Sequence, residues 1–456
     1  MKREISLLQA TSINMIDMVG IGPFVMMSIV MHLVASNLFI WAWVFGAVTA
    51  LVDGMIWSEL GAAYPLAGGS YNFLKESYGK KGGPLMSFLF VWQTCLQSSL
   101  VVASGAIGFS QYFGYLVPLS WWEEKAVSGI VVILIIALLY RNIRTIGKIS
   151  VLLWAGVIIT IVWIIVSGFA HRQVAYSPFP APGNSWFSAA FALLVGQASV
   201  KTVYSYLGYY NVCHLGGEIR NPGRNIPRSI FISIICISVL YLAMNWSVAG
   251  VIPWRAAMNS KFVISLFMER IYGPRIANVA TLLVLWIAFA SLFAVVLGYS
   301  RVPYAAAADG NFFPVFARLH PRKDFPYVSL LFVAGLGFCF CLLLRLNDAI
   351  NAILAMRILV QFVAQAVGVV LLRRRKGTQD LPFRMWLYPA PVILSVAIWL
   401  FVWYSTGFAA FVGLLLAACG IVVFYAARDG WKRQAEALQE QRGFLAEHDA
   451  DALQEK

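Results

Sequence analysis

Residues 12–35 read SINMIDMVGIGPFVMMSIVMHLVA, and the fold that the sequence predicts is built around this stretch. It is long and apolar enough for a helix that crosses a bilayer, yet its middle holds Gly20, Gly22 and Pro23, the residue types that most weaken a helix. Because Pro23 cannot donate a hydrogen bond to Val19, the sequence predicts a spanning helix that is broken near its centre. Unpaired backbone inside a membrane is tolerated where it lines a cavity, so the break also predicts a ligand site. A plain proline kink is the alternative explanation for this stretch alone.

The composition places the whole chain in a membrane. Of 456 residues, 60% are hydrophobic and 12% are charged, and the mean hydropathy is +0.76. A soluble domain could not cover such a core with so little polar surface. Apolar stretches recur at lengths near the roughly 20 residues that a crossing helix needs. The sequence predicts twelve spans, at 12–35, 39–61, 84–115, 126–140, 149–169, 186–215, 229–251, 276–304, 327–345, 349–372, 386–405 and 407–427.

The net charge of +14 is sorted by segment. In a soluble protein such an excess would point to nucleic acid, but here the basic residues follow the predicted topology. If the N-terminus is cytoplasmic, the inside segments hold 25 Lys and Arg residues and the outside segments seven. Cytoplasmic loops carry such an excess. The sequence therefore predicts a multi-pass protein of the cell membrane, with the lipid bilayer as its surroundings, both termini in the cytoplasm and no nucleic-acid partner.

The sequence shows no pattern typical of an enzyme or a metal site. Six cysteines, at positions 95, 213, 236, 339, 341 and 419, fall within or at the edges of apolar stretches, without a CxxC pair or companion histidines. Zinc-protease, nucleophile-elbow and phosphate-loop patterns do not occur, and the GxG at 20–22 lacks the preceding strand and following glycine of a dinucleotide site. The sequence thus predicts no catalytic residue, no metal and no cofactor.

Four stretches, in order along the chain, carry a recognisable pattern. They are GIGPF at 20–24, ELGAAYPLAGGSY at 59–71, GEIRNPGRNIP at 217–227 and SRVPYAAAADGNFFP at 300–314. Together they resemble motifs of the amino acid–polyamine–organocation (APC) transporter superfamily: its broken first helix, its E-L-G-x-x-x-P-x-x-G-G-x-Y loop, its E-x-x-N-P-x-R-x-x-P loop and its S-R…A-x-D-G…P segment. The chain therefore resembles a bacterial-type amino acid permease of this superfamily.

The resemblance implies an all-α polytopic membrane protein with twelve transmembrane helices. Members share a LeuT-type five-plus-five inverted repeat with helices 1 and 6 broken, so we expect a ten-helix transport core over 1–375, helices 11 and 12 over 376–427 and a cytoplasmic tail over 428–456. The aromatic stretch VYSYLGYYN at 203–211 falls where members have the unwound segment of helix 6. By itself, a tyrosine-rich stripe is also typical of helix packing or of an interfacial belt.

The resemblance also implies where a substrate binds. After the break, helix 1 would resume at Pro23 and direct the positive end of its dipole at a carboxylate. The binding segment on this side would comprise Gly20, Ile21, Gly22 and Phe24, with amides of Ile21, Gly22, Phe24 and Val25 as donors. A negative pole for an ammonium group would come from the carbonyls of Val19, Tyr204 and Tyr206. Further expected site residues are Tyr204 as the gating aromatic, Gly208 in the break, Tyr210 as a polar contact and Leu207 as a residue that narrows the pocket.

Four ionisable residues lie inside predicted spans, and each is a candidate for function because an intramembrane charge is costly unless paired or solvated. They are Asp17, Asp53, Lys201 and Arg357. One interpretation is two buried ion pairs that hold the bundle together. The other is that the two cations lie nearer the binding level than the two acids, which disfavours a polyamine and favours a neutral or acidic amino acid.

The sequence indicates little about coupling. Family members that couple to protons or exchange substrates place a lysine midway along helix 5, where this chain has Ala155, and Lys148 is too shallow to replace it. Of the hydroxyls that a sodium site would need on helix 8, only Ser291 is suitably placed. The sequence therefore disfavours sodium as the coupling ion, and a coupling proton is kept among the expected partners. The resulting prediction is a secondary active transporter of an amino acid working by alternating access. A polyamine or organocation transporter and a non-transporting amino acid sensor are the alternatives.

Overall fold

The computed structural model describes residues 3–141, 143–179, 189–377, 379, 381–408, 410–427 and 430. The predicted tail at 428–456 therefore lies outside the described residues, apart from position 430. Within those ranges the chain folds into helices joined by turns, with two isolated β-bridges and no strand. In chain order the α-helices are α1 Leu7–Met18, α2 Gly22–Val34, α3 Ile40–Ala63, α4 Ser70–Phe113, α5 Trp121–Leu139, α6 Ile143–Ala170, α7 Ala189–Tyr206, α8 Asn211–His214, α9 Pro222–Ala249, α10 Trp254–Ala257, α11 Val263–Tyr272, α12 Pro274–Tyr299, α13 Arg301–Ala308, α14 Tyr327–Leu343, α15 Leu346–Arg357, α16 Ala364–Lys376, α17 Ala390–Ser405 and α18 Ala410–Ala427.

Several of these helices are suited to a membrane. Six spans in the described part of the chain are apolar and long enough to cross one: α3 with the turn before it, α4, α6, α9, α12 with α13, and α18. Helices α1 and α2 form a seventh candidate, bent by 42° at the break between them. Helices α14 and α17 are apolar but have only 17 and 16 residues. The chain is thus a multi-pass membrane protein, while the count of twelve spans and the inverted repeat stay predictions.

The first predicted break is present. Helix α1 begins with a capping box, in which the Ser6 amide donates to the Gln9 side chain at 2.9 Å and the Gln9 amide donates to the Ser6 hydroxyl at 3.4 Å. It ends at Met18, because Pro23 and the two glycines prevent the ladder of backbone bonds from continuing. The chain resumes as α2 at Gly22, with Pro23 at the start of the new helix. A proline in the first turn costs no hydrogen bond, so α2 begins where the sequence allows it.

A second break lies at the other predicted position. Helix α7 ends at Tyr206 and the short helix α8 begins at Asn211. Between them Gly208 has φ +122°, a backbone conformation that residues with a side chain rarely adopt. The side chain of Asn14, in α1, accepts a hydrogen bond from the Val212 amide at 2.8 Å. A polar residue of the first broken segment therefore satisfies backbone left unpaired by the second break.

The irregular segment that the sequence predicts at 59–71 is shorter in the structure. Helix α3 continues to Ala63, and α4 begins at Ser70, so only 64–69 is non-helical. Helix α4 then runs for 44 residues and changes direction at Gly79, whose φ of 66° and ψ of −164° are not helical. The chain thus changes direction at two places, in the segment before Ser70 and at Gly79, and the residues between them are helical.

Acidic or basic residues of three of the four recognised stretches form buried or half-buried ion pairs. Glu218 and Arg301 form an ion pair at 3.0 Å, with side chains only 2% and 1% exposed. Glu59 pairs with Arg373 at 2.5 Å. The Ile5 amide donates to the Glu218 carbonyl at 2.9 Å, which ties the segment before α1 to the same cluster. These charges therefore join four distant parts of the chain, and their role here is structural.

Candidate functional site

A small cavity lies between the two breaks. It has a volume of about 60 Å³. Its walls come from the α1–α2 break, the α7–α8 break, α4, α12 and the end of α15. The lining residues are Asp17, Met18, Gly20, Ile21, Gly22, Pro23, Val101, Ser104, Gly105, Tyr204, Ser205, Leu207, Gly208, Tyr210, Ser291, Leu292, Val295, Tyr299 and Arg357.

One side of the cavity is the start of α2. The first amides of a helix have no partner in their own helix and carry the positive end of its dipole. Gly22 is the first residue of α2 and lines the cavity together with Ile21. A Cβ on Gly22 would lie 3.3 Å from the Tyr204 ring, so a larger residue there would crowd the space beside these amides. This side is suited to a carboxylate.

The ends of α1 and α7 also border the cavity. The Tyr241 hydroxyl, from α9, lies 2.8 Å from the Met18 carbonyl and 3.3 Å from the Ser205 carbonyl, so it joins the two broken ends. Ser291, from α12, donates to the Asp17 carbonyl at 3.5 Å. Asp17 also lines the cavity, and its carboxyl carbon would lie 3.0 Å from a Cβ on Gly208. This side therefore carries negative charge suited to an ammonium group.

Arg357 brings a positive charge to the same cavity. It is the last residue of α15, where the helix passes into a π-helix at Ile358–Val363, a wider turn that often occurs at functional sites. Its guanidinium group donates to the Tyr299 hydroxyl and, at 3.1 Å, to the Gln361 side chain. It also lies 5.3 Å from the centre of the Tyr210 ring. Arg357 is thus fixed from several directions, which leaves it little freedom to follow a ligand.

Tyr204 lies at the edge of the cavity. Its hydroxyl is 3.3 Å from the Ser104 hydroxyl, in α4, and its ring is in contact distance of Gly22. Since α7 and α4 are joined at this point by one weak polar contact between two hydroxyls, the ring can separate from Ser104 at little cost. That Tyr204 gates the cavity stays a prediction.

The structure brings most of the predicted site residues together. Of those named from the sequence, the cavity is lined by Gly20, Ile21, Gly22, Tyr204, Leu207, Gly208, Tyr210, Asp17 and Arg357. The following residues, also named there for the site or as intramembrane charges, do not line it: Val19, Phe24, Val25, Tyr206, Asp53 and Lys201. Tyr206 instead packs edge-on against Trp43 and Tyr241, with ring centres 6.3 and 5.2 Å apart. Because the chain turns sharply at each break, neighbouring residues face opposite directions.

The expected placement of the four intramembrane charges is wrong in two respects. Asp17 lies at the cavity and Lys201 does not, so the cations are not collectively nearer to it than the acids. The interpretation as two buried ion pairs is also wrong, because the ion pairs among the described residues include none between these four. Asp17 occupies the last turn of α1, immediately before the break, and that position brings its carboxyl group to the binding level.

Asp53 has a structural role of its own. Its carboxylate accepts hydrogen bonds from the Tyr209 hydroxyl at 2.5 Å, the Ser395 hydroxyl at 3.1 Å and the Trp399 indole at 3.1 Å. Tyr209 belongs to the α7–α8 break, while Ser395 and Trp399 lie in α17. Three neutral donors thus compensate the buried acid. Asp53 fastens the second break to α17 and does not face the cavity.

Several residues of the site were not singled out from the sequence. They are Ser104, Tyr241 and Tyr299, which contact Tyr204, the broken helix ends or Arg357. The signal that could have identified them is a polar side chain within an apolar span, since such groups need a partner inside the bundle. Spans of this chain contain many such residues, and only the fold decides which face the breaks. In the described ranges no three His, Cys, Asp or Glu side chains are grouped as metal ligands would be.

The fold and this cavity define a class: a membrane-embedded helical bundle with a small polar cavity between two broken helices. The sequence profile of the amino acid permease family matches residues 5–427. The chain is 26% identical over 441 residues to the serine/threonine exchanger SteT of Bacillus subtilis, covering 93% of this chain and 97% of that protein. It is 23% identical to the branched-chain amino acid permease BcaP of the same organism, with 93% of both chains covered, and 24% identical to the mouse Asc-type amino acid transporter 1, with 93% of this chain and 81% of that protein covered. The chain belongs to the amino acid permease family of the APC superfamily, whose members named here are transporters of amino acids.

Proposed function

We propose that this protein is a secondary active transporter that moves a small neutral amino acid across the cell membrane by alternating access. The observation that carries the proposal is the cavity of about 60 Å³ between the start of α2 and the end of α1, lined by one acid and one base. Opposite helix ends on either side of a small space suit a molecule that carries a carboxylate and an ammonium group close together.

The two charged groups of the substrate have different partners in this proposal. The carboxylate meets the amides of Ile21 and Gly22, at the positive end of α2. The ammonium group meets the end of α1, where Asp17 adds a full negative charge to the carbonyl groups. Arg357 balances Asp17, so the lining is neutral overall and suits a zwitterion.

The cavity volume supports a small side chain. A cavity of about 60 Å³ is small, since a single water needs at least about 10–15 Å³ and takes a share of about 30 Å³ in the liquid. Glycine, alanine and serine come near this size, whereas leucine or glutamate needs more room. Leu207 and Leu292 set the limit, because both project into the lining. One relative is named for serine and threonine and another for branched-chain amino acids. Our preference for a small substrate therefore rests on the cavity volume.

The charges support a neutral substrate over the alternatives. A polyamine would need several carboxylates, and among the described lining residues Asp17 is the one acid. An acidic side chain would need a free cation, but Arg357 is already held by Tyr299 and Gln361. The acidic amino acid that the sequence left open therefore ranks below a neutral one.

Asp17 is the proposed site of a coupling proton. Its carboxyl group lines the cavity and makes no ion pair within the described part of the chain, so protonation and substrate binding share one location. The excess of basic residues in the predicted inside segments supports an orientation with both termini in the cytoplasm.

Uptake into proteoliposomes tests the function. Labelled serine, alanine and glycine should be accumulated, and unlabelled leucine, glutamate, lysine and putrescine should compete poorly. Leu207→Ala should admit larger side chains, so that valine or leucine competes several-fold better. The control Leu297→Ala changes a leucine of α12 that does not line the cavity, and it should leave the preference unchanged. Binding of serine without accumulation or exchange would instead favour the sensor, and equal competition by putrescine would favour the polyamine carrier.

A further inference from the structure

A second cavity lies at the outside of the bundle, away from the substrate site. It is a groove of about 550 Å³ between α3, the first three turns of α9 and the segment before α17. Its lining is mostly apolar with two arginines: Leu51, Met55, Gly223, Arg224, Pro227, Arg228, Phe231, Ile232, Ile235, Pro382, Phe383 and Trp386. None of these residues lines the cavity at the breaks.

The charges of the groove have one sign. Arg224 and Arg228 are four residues apart on α9, so they project from the same face about one turn apart. Both are exposed, and neither forms an ion pair with any acid that the structure describes. No Asp or Glu occurs among the described residues of the lining. Two neighbouring guanidinium groups of this kind bind phosphate oxygens well.

The apolar part of the groove continues from the arginines along the helix. Ile232 and Ile235 are 42% and 52% exposed, and Val239, one turn further on, is 61% exposed. Exposed branched side chains at this spacing on a membrane helix mark the face that contacts lipid chains. From Arg228 to Ile235 the helix advances about 10 Å. The groove therefore presents positive charge at one end of α9 and an apolar channel toward its middle.

Aromatic side chains close the other wall. Phe231 stacks on Trp386 with ring centres 5.1 Å apart and lies 5.8 Å from the Phe383 ring. Trp386 is 57% exposed, and tryptophan is enriched at the level of lipid headgroups. The groove thus combines arginine and tryptophan, two residue types that are typical of the headgroup region.

We propose that this groove is a binding site for one anionic phospholipid, whose phosphate group meets Arg224 and Arg228 and whose acyl chain lies along Phe231, Ile232 and Ile235. A zwitterionic phospholipid carries a compensating positive headgroup, so the two arginines favour the anionic one. Helix α9 also supplies Tyr241 to the broken helix ends, so one helix contacts both the groove and the substrate site.

Native mass spectrometry of the detergent-purified chain tests the proposal, with phosphatidylglycerol and phosphatidylcholine of identical acyl chains as probes. One phosphatidylglycerol should be retained preferentially. The double variant Arg224→Gln/Arg228→Gln should lower its affinity about 30-fold, from the typical strength of two basic residues near an anionic lipid. The matched control is Arg318→Gln/Arg322→Gln, an exposed pair with the same spacing that does not line the groove. Equal loss in both double variants, or equal retention of the two lipids, would overturn the proposal.

Two further measurements distinguish binding of the whole lipid from binding of its phosphate group alone. Ile235→Trp fills an exposed position of the groove and leaves both arginines in place, so it should weaken long-chain phosphatidylglycerol more than the dihexanoyl form. Inorganic phosphate at millimolar concentration should not displace the long-chain lipid. Displacement by phosphate alone would show an anion site without a lipid. Elution as a single species in size-exclusion chromatography establishes that each variant is folded.

Discussion

Gly208 in the second break lies directly against Met18 at the end of α1: a Cβ on Gly208 would stand 2.7 Å from the Met18 amide nitrogen. Real Cβ atoms do not approach other atoms so closely, and the φ of +122° at Gly208 is itself strained for any other residue. The two broken segments are therefore held in direct backbone contact. The two residues are 190 positions apart in the chain, and both line the cavity.

Gly208→Ala should separate the two breaks and reduce amino acid uptake by at least tenfold, because the added methyl group must displace α1 or α7. The membrane yield should fall less, since the rest of the bundle is unaffected. Gly335→Ala is the matched control, as its Cβ would meet no atom within 4 Å, and it should transport normally. Uptake per mole of purified protein is measured for both variants. Normal uptake by a folded Gly208→Ala protein would contradict the proposed contact.

Tyr204→Ala should lower the turnover number several-fold and change substrate affinity little, because the ring is proposed to close the cavity and not to hold the substrate's charges. Tyr204→Phe should retain most of the rate, since it loses only the 3.3 Å contact with Ser104. Tyr206→Phe, which alters a ring outside the cavity, should be silent. Initial rates over a range of serine concentrations separate the effect on rate from the effect on affinity. If Tyr204→Ala changed protein yield alone, the gating role would be wrong.

Asp17→Asn should abolish accumulation driven by an imposed proton gradient while retaining exchange of internal for external substrate, at a lower substrate affinity because the amide offers the ammonium group no negative charge. The amide matches the protonated carboxyl group in shape but cannot release a proton. Lys201→Gln removes an intramembrane charge that does not line the cavity and should keep the response to the gradient. Proteoliposomes with equal or unequal internal and external pH make the comparison. Gradient-driven accumulation by Asp17→Asn would place the coupling site elsewhere.

Glu218→Gln should destabilise the protein by about 3–5 kcal/mol, the typical cost of leaving one member of a buried ion pair without its partner. The pair with Arg301 is 1–2% exposed, so water cannot compensate. Lys376→Gln, which breaks an exposed pair with Glu76, should cost less than about 1 kcal/mol. Thermal unfolding in detergent, followed by loss of the monomer peak, gives the comparison. Similar midpoints for Glu218→Gln and the wild type would show that the pair is dispensable.

The sequence by itself determined the membrane class, the family and the positions of the two breaks. The membrane class and the first break rest on local chemistry: apolar stretches that only a bilayer can cover, and glycine and proline at 20–23, which weaken a helix. The family and the second break rest on motifs that resemble those of the APC superfamily. The same reasoning located the residues near the breaks. It did not predict which of them would face the cavity, since Val19 and Gly20 are neighbours in the chain and only Gly20 lines it.

The tertiary structure alone decided where the charges lie. Asp17 and Asp53 are both acids in apolar spans, yet Asp17 faces the cavity, and Asp53 is satisfied by Tyr209, Ser395 and Trp399. The Asp53 partners are 156, 342 and 346 residues away, so its surroundings depend on how α3, α7 and α17 pack. An electrostatic environment is a property of all the groups within a few ångströms, and a sequence lists only those that are adjacent in the chain.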